Sequence, residues 1–345
     1  MPQVQNAKQF FADFIHCAAT AKKRIYLQSI FFESGEVLEQ IEAVIVKKAQ
    51  EGVAVHVMID WVSERYVEDN PHILPTLKKS VNTKKDLVHR QTKLLIKRWK
   101  QAGITFTTTN PQNGISLFLS IYGRNHKKIY LVDDTAVWLG SANLLDRTVR
   151  SVEIMTKFTN PIMINAVSEE FFKVNNNRPS QNYSLSVSPQ YELLVDAGTR
   201  GKSIIYDNAT EAVISAKQSI VFASPFAPDG KILKAMIATA KRGVPITIVT
   251  NNIDYKNFTV FPYNIPYKIM LEQIKHEKNI SVLYQDRKVH AKILIVDSMI
   301  ALFGSHNFVD IGVQLATEEI AVRTTDAHLI SQIKTFLKEN TTWNQ

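Results

Sequence analysis

The sequence predicts an α/β fold built from two pseudo-symmetric α/β/α sandwich halves. Two observations predict it: one motif of 18 residues occurs twice, and each copy follows a strand–helix–strand pattern. A chain of 345 residues is long enough for two cores of medium size. The run at 175–182 is polar, lacks periodicity and contains a proline, so it reads as a linker. The halves are therefore expected at residues 1–182 and 183–345.

Each half is predicted to begin with a strand, a helix and a second strand. In both, a short apolar run precedes an amphipathic helical pattern that glycine closes, because glycine adopts the left-handed conformation without a side-chain clash. Strand–helix–strand units favour a sheet covered by helices on both faces. The predicted strands are residues 23–27, 53–60, 218–222 and 244–250, and the closing glycines are Gly52 and Gly243. A further amphipathic helix should end each half, at about residues 161–174 and 326–338.

Each motif copy predicts two strands joined by a tight turn. The first strand is an apolar run rich in β-branched residues, and the second leads directly into the sequence Gly-Ser-x-Asn. Asp133 and Asp297 stand at the turns, where they are candidates for catalysis or, alternatively, for binding turn backbone or holding the opposite half. The predicted strands are residues 128–132, 136–139, 292–296 and 300–303.

The positive charge is concentrated in one insertion. The formal net charge is +9, and from Lys78 to Lys100 there are seven lysines and two arginines against Asp86, which gives 9 − 1 = +8. This run belongs to a basic insertion at about residues 70–102, since the first half holds about 27 more residues than the second ahead of its motif. An anionic partner such as a membrane surface or nucleic acid is expected, with a solvated helix face as the alternative.

A helix is predicted within this insertion. Thr83 followed by Asp86 resembles a capping box, which predicts a helix over residues 84–102. One stripe of that helix is basic and the roughly opposite stripe is apolar, a pattern that suits a membrane interface or packing on the core. The basic stripe is Arg90, Lys93, Lys97 and Lys100, and the apolar stripe is Val88, Leu95, Trp99 and Ala102.

Composition excludes several classes of protein. The chain has 45% hydrophobic and 21% charged residues, as ordinary globular proteins do. Cys17 is the single cysteine, so an internal disulfide and a cysteine-rich metal site are excluded. No apolar run approaches the ~18 residues that a membrane-spanning helix needs, and the N-terminal residues lack a signal-peptide pattern. The sequence therefore predicts a cytoplasmic protein without a transmembrane segment.

The motif residues are suited to cleaving a phosphodiester. His126 and Lys128 are two residues apart, as are His290 and Lys292, so each pair should lie on one face of a strand about 6.6 Å apart. One histidine can attack phosphorus to form phosphohistidine, while a protonated partner donates to the leaving oxygen. The lysines supply positive charge, so neither a metal nor another cofactor is expected. The residues expected to bind the phosphate are Ser141, Asn143, Ser305 and Asn307.

Each histidine also needs an acid behind it to fix its tautomer. Glu153 and Glu319 follow the two Gly-Ser-x-Asn sequences, each directly before an isoleucine in an apolar run, and are favoured over Glu318. His306 lies inside the second motif and is a candidate for the pocket lining. Three aromatic residues flank the predicted site loops, with core or rim packing as the alternative role: Trp61, Tyr122 and Phe308.

With these motifs the sequence resembles the phospholipase D superfamily, whose hallmark is a pair of His-x-Lys-x4-Asp motifs, each followed by Gly-Ser-x-Asn. The duplicated halves extend the resemblance over nearly the whole chain. It implies that both motifs meet at one active site between the halves, and that the reaction proceeds in two steps through phosphohistidine with His126 as the nucleophile. Residues 124–128, residues 41–60, and residues 140–144 with Arg147 are similar to bacterial cardiolipin synthases.

The resemblance implies a phosphodiesterase or phosphatidyltransferase that acts on glycerophospholipids and is peripheral at the membrane. The basic region would contact an anionic membrane surface, and a monomer would suffice for catalysis. A nuclease that cleaves DNA or RNA is the alternative, because the same chemistry and the same basic patch suit nucleic acid. A non-catalytic lipid-binding scaffold is disfavoured, since such a protein has no use for two intact motifs.

Overall fold

In the computed structural model the described residues are 1–64, 79–110, 122–173, 181–252, 270–274 and 276–344, without the side chains of residues 64 and 79–85. Within these ranges the chain forms two mixed sheets of seven and eight strands, each with helices on both faces. The predicted fold class is confirmed. The predicted linker at 175–182 lies mostly outside the described residues.

The first sheet contains strands from residues 3 to 158. Its order is β1-β7-β6-β5-β2-β3-β4, with β2, β3 and β4 parallel and the remaining neighbours antiparallel. The elements are β1 (Gln3–Gln5), α1 (Ala7–Ala19), β2 (Arg24–Ser29), α2 (Glu36–Gln50), β3 (Ala54–Asp60), α3 (Lys79–Gln101), β4 (Thr105–Thr109), β5 (Ile129–Val132), β6 (Ala136–Gly140), α4 (Asp146–Arg150), β7 (Met155–Phe158) and α5 (Pro161–Lys173).

The second sheet repeats this plan and adds one strand. Its order is β12-β11-β10-β13-β14-β15-β9-β8, and β10 lies between a parallel and an antiparallel neighbour just as β2 does. The elements are β8 (Tyr183–Ser188), β9 (Tyr191–Ala197), α6 (Ile204–Ser215), β10 (Ile220–Ala223), α7 (Gly230–Lys241), β11 (Ile246–Asn251), β12 (Ile280–Gln285), β13 (Ile293–Val296), β14 (Ile300–Gly304), α8 (Asp310–Gln314), β15 (Glu318–Thr324) and α9 (Ala327–Asn340).

One hydrophobic core is shared by the two halves. Leu131 of β5 and Ile295 of β13 belong to it, together with Ile164 of α5 and Ile333 of α9, so these two helices lie between the sheets. The outer face of the first sheet packs against α1, α2 and α3, and that of the second against α6 and α7. Because each fully buried aliphatic side chain contributes about 1.5–3 kcal/mol, the shared core fixes one half against the other.

The basic helix α3 is longer than the sequence predicted. It begins at Lys79, so Thr83 and Asp86 lie inside it and the predicted capping box is wrong. No proline or glycine interrupts residues 79–101, and the helix therefore extends past the capping signal. Trp99 is fully buried and its ring centroid lies 5.2 Å from that of Phe32. None of the described helices has the length and apolar character needed to cross a bilayer.

Candidate active site

The hairpins β5–β6 and β13–β14 place the motif residues at the same edge of their sheets. Each hairpin sets a lysine, Lys128 or Lys292, just before its first strand and the residues Ser-x-Asn just after its second. The last residue of each second strand is a glycine, Gly140 or Gly304. A Cβ at either position would lie well inside van der Waals contact of backbone on the neighbouring strand. The close approach of the strands therefore requires glycine.

Two short β-bridges join the halves at these motifs. The backbone N–H of His126 donates to the carbonyl of Glu318 at 2.9 Å, and the N–H of His290 donates to the carbonyl of Val152 at 2.9 Å. Each bridge thus ties the residue that carries an imidazole to the opposite half. The two crossings are related by the pseudo-twofold symmetry of the chain, and they bring both motifs to one site.

The two candidate acids are exchanged between the halves. Nδ1 of His126 lies 2.9 Å from Oε1 of Glu319, and Nδ1 of His290 lies 2.8 Å from Oε1 of Glu153. A carboxylate at Nδ1 favours the tautomer with the proton on that nitrogen, which leaves the lone pair on Nε2. The side chains of His126 and His290 are 13% and 14% exposed, so each ring remains accessible. The structure therefore brings each predicted histidine to a predicted acid of the other half.

The two motif serines lie behind the acids. Oγ of Ser141 donates to Glu153 at 2.5 Å and accepts from the backbone N–H of Ile154 at 3.0 Å. Ser305 donates to Glu319 and accepts from Ile320 in the same way. Both serine side chains are fully buried. Their hydroxyls orient the carboxylates, whereas the sequence predicted contact with the phosphate.

The motif lysines and Asn143 are buried beside the histidines, and Asn307 is half-buried. Nζ of Lys128 donates to the carbonyl of His126 at 2.7 Å, and Lys292 makes the same bond to His290. Both lysines are fully buried. Oδ1 of Asn143 accepts from Oγ of Ser29 at 3.2 Å, while Oδ1 of Asn307 is buried without a partner among the described residues.

Burial and charge give the two histidine–acid pairs different proton affinities. Burial lowers the pKa of His126 to about 4, although Glu319 opposes the shift. Burial would raise the pKa of Glu319, but His126 and nearby cations outweigh it and hold that pKa at about 2. For Glu153 burial prevails over Lys292 and raises the pKa to about 7. At neutral pH, His126 is therefore neutral beside an anionic acid, while Glu153 holds a proton far more readily than Glu319 does.

Asp133 and Asp297 bind turn backbone at the far ends of the motif strands. The carboxylate of Asp133 accepts the backbone N–H groups of residues 22, 23 and 24 at 2.8–2.9 Å. Asp297 accepts those of residues 217, 218 and 219 in the same manner. Five residues of extended chain, about 16 Å, separate Asp133 from Lys128. This placement matches the alternative prediction, in which Asp133 and Asp297 bind turn backbone, rather than a role in catalysis.

The other predicted residues lie around the site with different degrees of burial. His306 is 2% exposed, and its Nδ1 accepts the backbone N–H of Phe308 at 2.8 Å. Phe308 is fully buried, so core packing describes it best. Trp61 is also buried, and its ring centroid lies 5.9 Å from the guanidinium carbon of Arg124. Tyr122 lies 5.6 Å from the guanidinium of Arg200, at the rim between the halves.

The sequence did not predict a buried ion pair beside His126. Asp60 accepts from Nη1 of Arg124 at 2.9 Å and from the backbone N–H of Asn125 at 2.7 Å. Both members of the pair are almost fully buried. An aspartate that ends an apolar strand, as Asp60 ends β3, was the available sequence signal. Within the described residues, no group of three His, Cys, Asp or Glu side chains could hold a metal ion.

Comparison with known protein families gives a match to both halves. The family described as "Cardiolipin synthase, PLD-like domain" matches residues 14–174 and 210–340. The chain is 22% identical over 328 residues to the major cardiolipin synthase of Bacillus subtilis (strain 168), covering 88% of this chain and 61% of that protein. It is 25% identical over 319 residues to cardiolipin synthase 2 of Staphylococcus epidermidis, covering 87% and 59%. The chain thus spans about three fifths of the length of these relatives.

Solved structures share the fold at low sequence identity. Phosphatidylserine synthase from Haemophilus influenzae Rd KW20 superposes with a TM-score of 0.74 and 14% identity, covering 99% of this chain and 86% of that one. Polyphosphate kinase from Porphyromonas gingivalis gives a TM-score of 0.62 at 14% identity, covering 100% and 52%. These likenesses concern the arrangement of the two halves.

Proposed function

This chain belongs to the family of cardiolipin synthases with a PLD-like domain, and on that premise we propose that it transfers phosphatidyl groups between glycerophospholipids. The observation that carries the proposal is the exchanged pairing of His126 with Glu319 and of His290 with Glu153. Two accessible imidazoles, each oriented by a buried acid, are what a two-step displacement at phosphorus requires.

In the first step, Nε2 of His126 attacks the phosphorus of the lipid phosphodiester. Glu319 balances the charge that develops on the ring through the proton on Nδ1. The bond between phosphorus and the leaving oxygen breaks, and His290 donates its Nε2 proton to that oxygen. The products of this step are a phosphatidyl group bound to His126 and a released alcohol.

In the second step, His290 accepts the proton of an incoming hydroxyl group. The hydroxyl oxygen attacks phosphorus, the bond from phosphorus to Nε2 of His126 breaks, and the enzyme returns to its starting protonation state. Lys128 and Lys292 stabilise the added negative charge of the five-coordinate phosphorus in both steps. The acceptor is the headgroup hydroxyl of a second lipid in a synthase and water in a lipase.

We further propose that α3 holds the protein against an anionic membrane surface. Leu87 and Leu94 are 52% and 53% exposed and lie seven residues apart, so they share one side of the helix. Arg90 and Lys97 lie on the same exposed side. Apolar side chains flanked by basic ones suit a lipid interface, where each basic residue contributes about 1 kcal/mol.

The test is a product screen with the purified chain. It is incubated with vesicles of phosphatidylglycerol, cardiolipin or phosphatidylcholine and, separately, with single-stranded DNA, and products are identified by mass spectrometry. Lipid turnover is expected, and His126→Ala and His290→Ala should each reduce it by on the order of 10²-fold or more. The exposed His16→Ala is the matched control. Activity within about tenfold of the parent in either site variant, or cleavage of DNA without lipid turnover, would refute the proposal.

The identity of the nucleophile has its own test. After brief reaction with lipid, acid-free digestion and mass spectrometry should locate a phosphatidyl adduct on His126. The neutral state of His126 at physiological pH, with its pKa lowered to about 4 by burial, supports this assignment. An adduct on His290 instead would reverse the two roles.

A further inference from the structure

Lys127, the residue between His126 and Lys128, is fully enclosed. Its side chain is 1% exposed, and Nζ lies 2.7 Å from Oε1 of Glu170 and 2.9 Å from Oε2 of Glu318. Glu170 belongs to α5 of the first half, whereas Glu318 opens β15 of the second. One buried ammonium group therefore connects a motif segment, a helix of the shared core and the opposite half.

The surroundings of Lys127 satisfy its two acids. Glu170 also accepts from the hydroxyl of Tyr183 at 2.8 Å and pairs with Lys173 at 3.2 Å. Glu318 accepts from the amide of Asn110 at 3.4 Å. Burial alone would lower the pKa of Lys127, but Glu318 and Glu170 outweigh it and raise that pKa above its usual value, so the lysine is charged.

At the pseudo-equivalent crossing all three positions are apolar. Ala291 follows His290 as Lys127 follows His126, and Val152 precedes Glu153 as Glu318 precedes Glu319. On the helices, Phe336 lies 17 residues after Glu319 just as Glu170 lies 17 after Glu153. The three apolar side chains belong to the shared core: Ala291, Val152 and Phe336.

Close packing at such a crossing does not require the charged residues Lys127, Glu170 and Glu318. An apolar set fills the same three positions in the second half, and buried ion pairs are commonly no more stabilising than apolar side chains of similar volume. The polar set adds a directional bond between the two halves. Lys127 adjoins His126 and Glu318 adjoins Glu319, so the bond between Nζ and Oε2 of Glu318 ties both members of the His126–Glu319 pair at their backbones.

We propose that Lys127, Glu170 and Glu318 form a positioning triad that holds His126 and Glu319 in register for attack on phosphorus and thereby distinguishes His126 from His290. This inference rests on the proposed phosphohistidine chemistry. The triad does not touch substrate. It fixes the histidine that must meet phosphorus in line. His290 exchanges a proton with two different oxygens, and its crossing is held by backbone hydrogen bonds and apolar packing without a buried ion pair between the halves.

The experiment transplants the apolar set of the second half into the first. The variant Lys127→Ala, Glu170→Phe, Glu318→Val is compared with the parent, and Lys173→Gln, which contacts Glu170 from the exposed side, is the control. We expect kcat of the triple variant to fall about 10-fold to 100-fold with KM within about twofold, because small misplacements of a reacting group cost this much. The control should keep the parent kcat.

A second measurement needs no substrate. Nitrogen NMR of the histidine rings, assigned with His126→Ala and His290→Ala, should show that the signals of His126 shift in the triple variant while those of His290 stay in place. If the triple variant does not fold, the isosteric Glu318→Gln replaces it, with the same expected changes. Unchanged His126 signals together with a parent kcat would overturn the triad. A parent that binds lipid but never turns it over would instead refute the proposed function, and the ring signals would still decide the triad.

Discussion

The carboxylate of Glu319 lies 2.9 Å from Nδ1 of His126, so the acid that orients this imidazole comes from the other half of the chain. Glu153 and His290 repeat the relationship in the opposite direction at 2.8 Å. The buried serines Ser141 and Ser305 hold each carboxylate from behind. Each histidine is therefore the end of a serine–acid–imidazole chain that crosses between the halves.

The charge of Glu319 should matter more than its shape. Glu319→Gln retains a group that can bond to Nδ1 of His126 but no longer stabilises a positive ring, so kcat should fall by on the order of 10²-fold. Glu153→Gln should give a similar loss through His290. The exposed Glu339→Gln on α9 is the matched control. Steady-state turnover of a short-chain soluble lipid measures the effect, and kcat within threefold of the parent for Glu319→Gln would contradict it.

The rate should depend on pH in a bell-shaped manner. His126 must be neutral to attack, and because burial lowers its pKa to about 4, the rate should rise as pH increases through about 4. The leaving oxygen needs a proton held by the Glu153–His290 pair, and because burial raises the pKa of Glu153 to about 7, the rate should fall as pH increases through about 7. Turnover of a soluble substrate from pH 3.5 to 9 tests both limbs. A rate that increases through pH 7 would show that the proton donor is not the Glu153–His290 pair.

Turnover should survive chelators. Lys128 and Lys292 lie next to the two histidines, and in the proposed mechanism they supply the positive charge that a metal ion would otherwise provide. With a soluble substrate, excess EDTA should leave kcat unchanged. Complete loss of activity that a divalent ion restores would contradict the expectation, and vesicles are avoided because divalent ions alter anionic lipid surfaces.

Asp297 should contribute to stability and not to turnover. Its carboxylate accepts three backbone N–H groups at the turn, so Asp297→Ala should lower the free energy of unfolding by about 1–3 kcal/mol. Asp133→Ala should do the same in the first half. Urea unfolding measures the change, with the exposed Asp286→Ala as control. A loss of kcat without a loss of stability would contradict this prediction and indicate that Asp297 takes part in catalysis.

The basic face of α3 should anchor the protein to anionic membranes and take no part in the chemistry. Changing Arg90, Lys93, Lys97 and Lys100 to glutamine should weaken binding to anionic vesicles and flatten its salt dependence. Turnover of a soluble substrate should remain within about twofold, since the change leaves the motif residues intact. The matched control removes four exposed lysines from the second half: Lys217, Lys231, Lys234 and Lys241. Equal vesicle binding by the two variants would contradict the anchoring role.

The repeated motif predicted most of the secondary structure around the site. Spacing of His126, Lys128 and Asn143 along two apolar runs was enough to predict the β5–β6 hairpin, because a period of two residues assigns side chains to a face. Spacing within one half carried no information about contacts between halves. The pairing of Glu319 with His126 therefore required the three-dimensional arrangement.

Other structural features could not be predicted from the sequence, for physical reasons. The burial of Ser141 follows from the closeness of β6 and β7, which a linear pattern does not report. Lys127 stands in a run of charged residues and looks like a solvated side chain, although tertiary packing encloses it completely. Helix α3 began earlier than Thr83 because continuous helix-forming sequence prevailed over a local capping signal.

The exchange of acids between the halves also means that neither half holds a complete histidine–acid pair by itself. His126 and Glu153 belong to the first half and His290 and Glu319 to the second, so two fragments separated between Lys173 and Gln181 should show no turnover until they reassemble. A substitution at Glu319 should therefore act on the chemistry of His126, 193 positions away in the chain, and the two halves should lose function together.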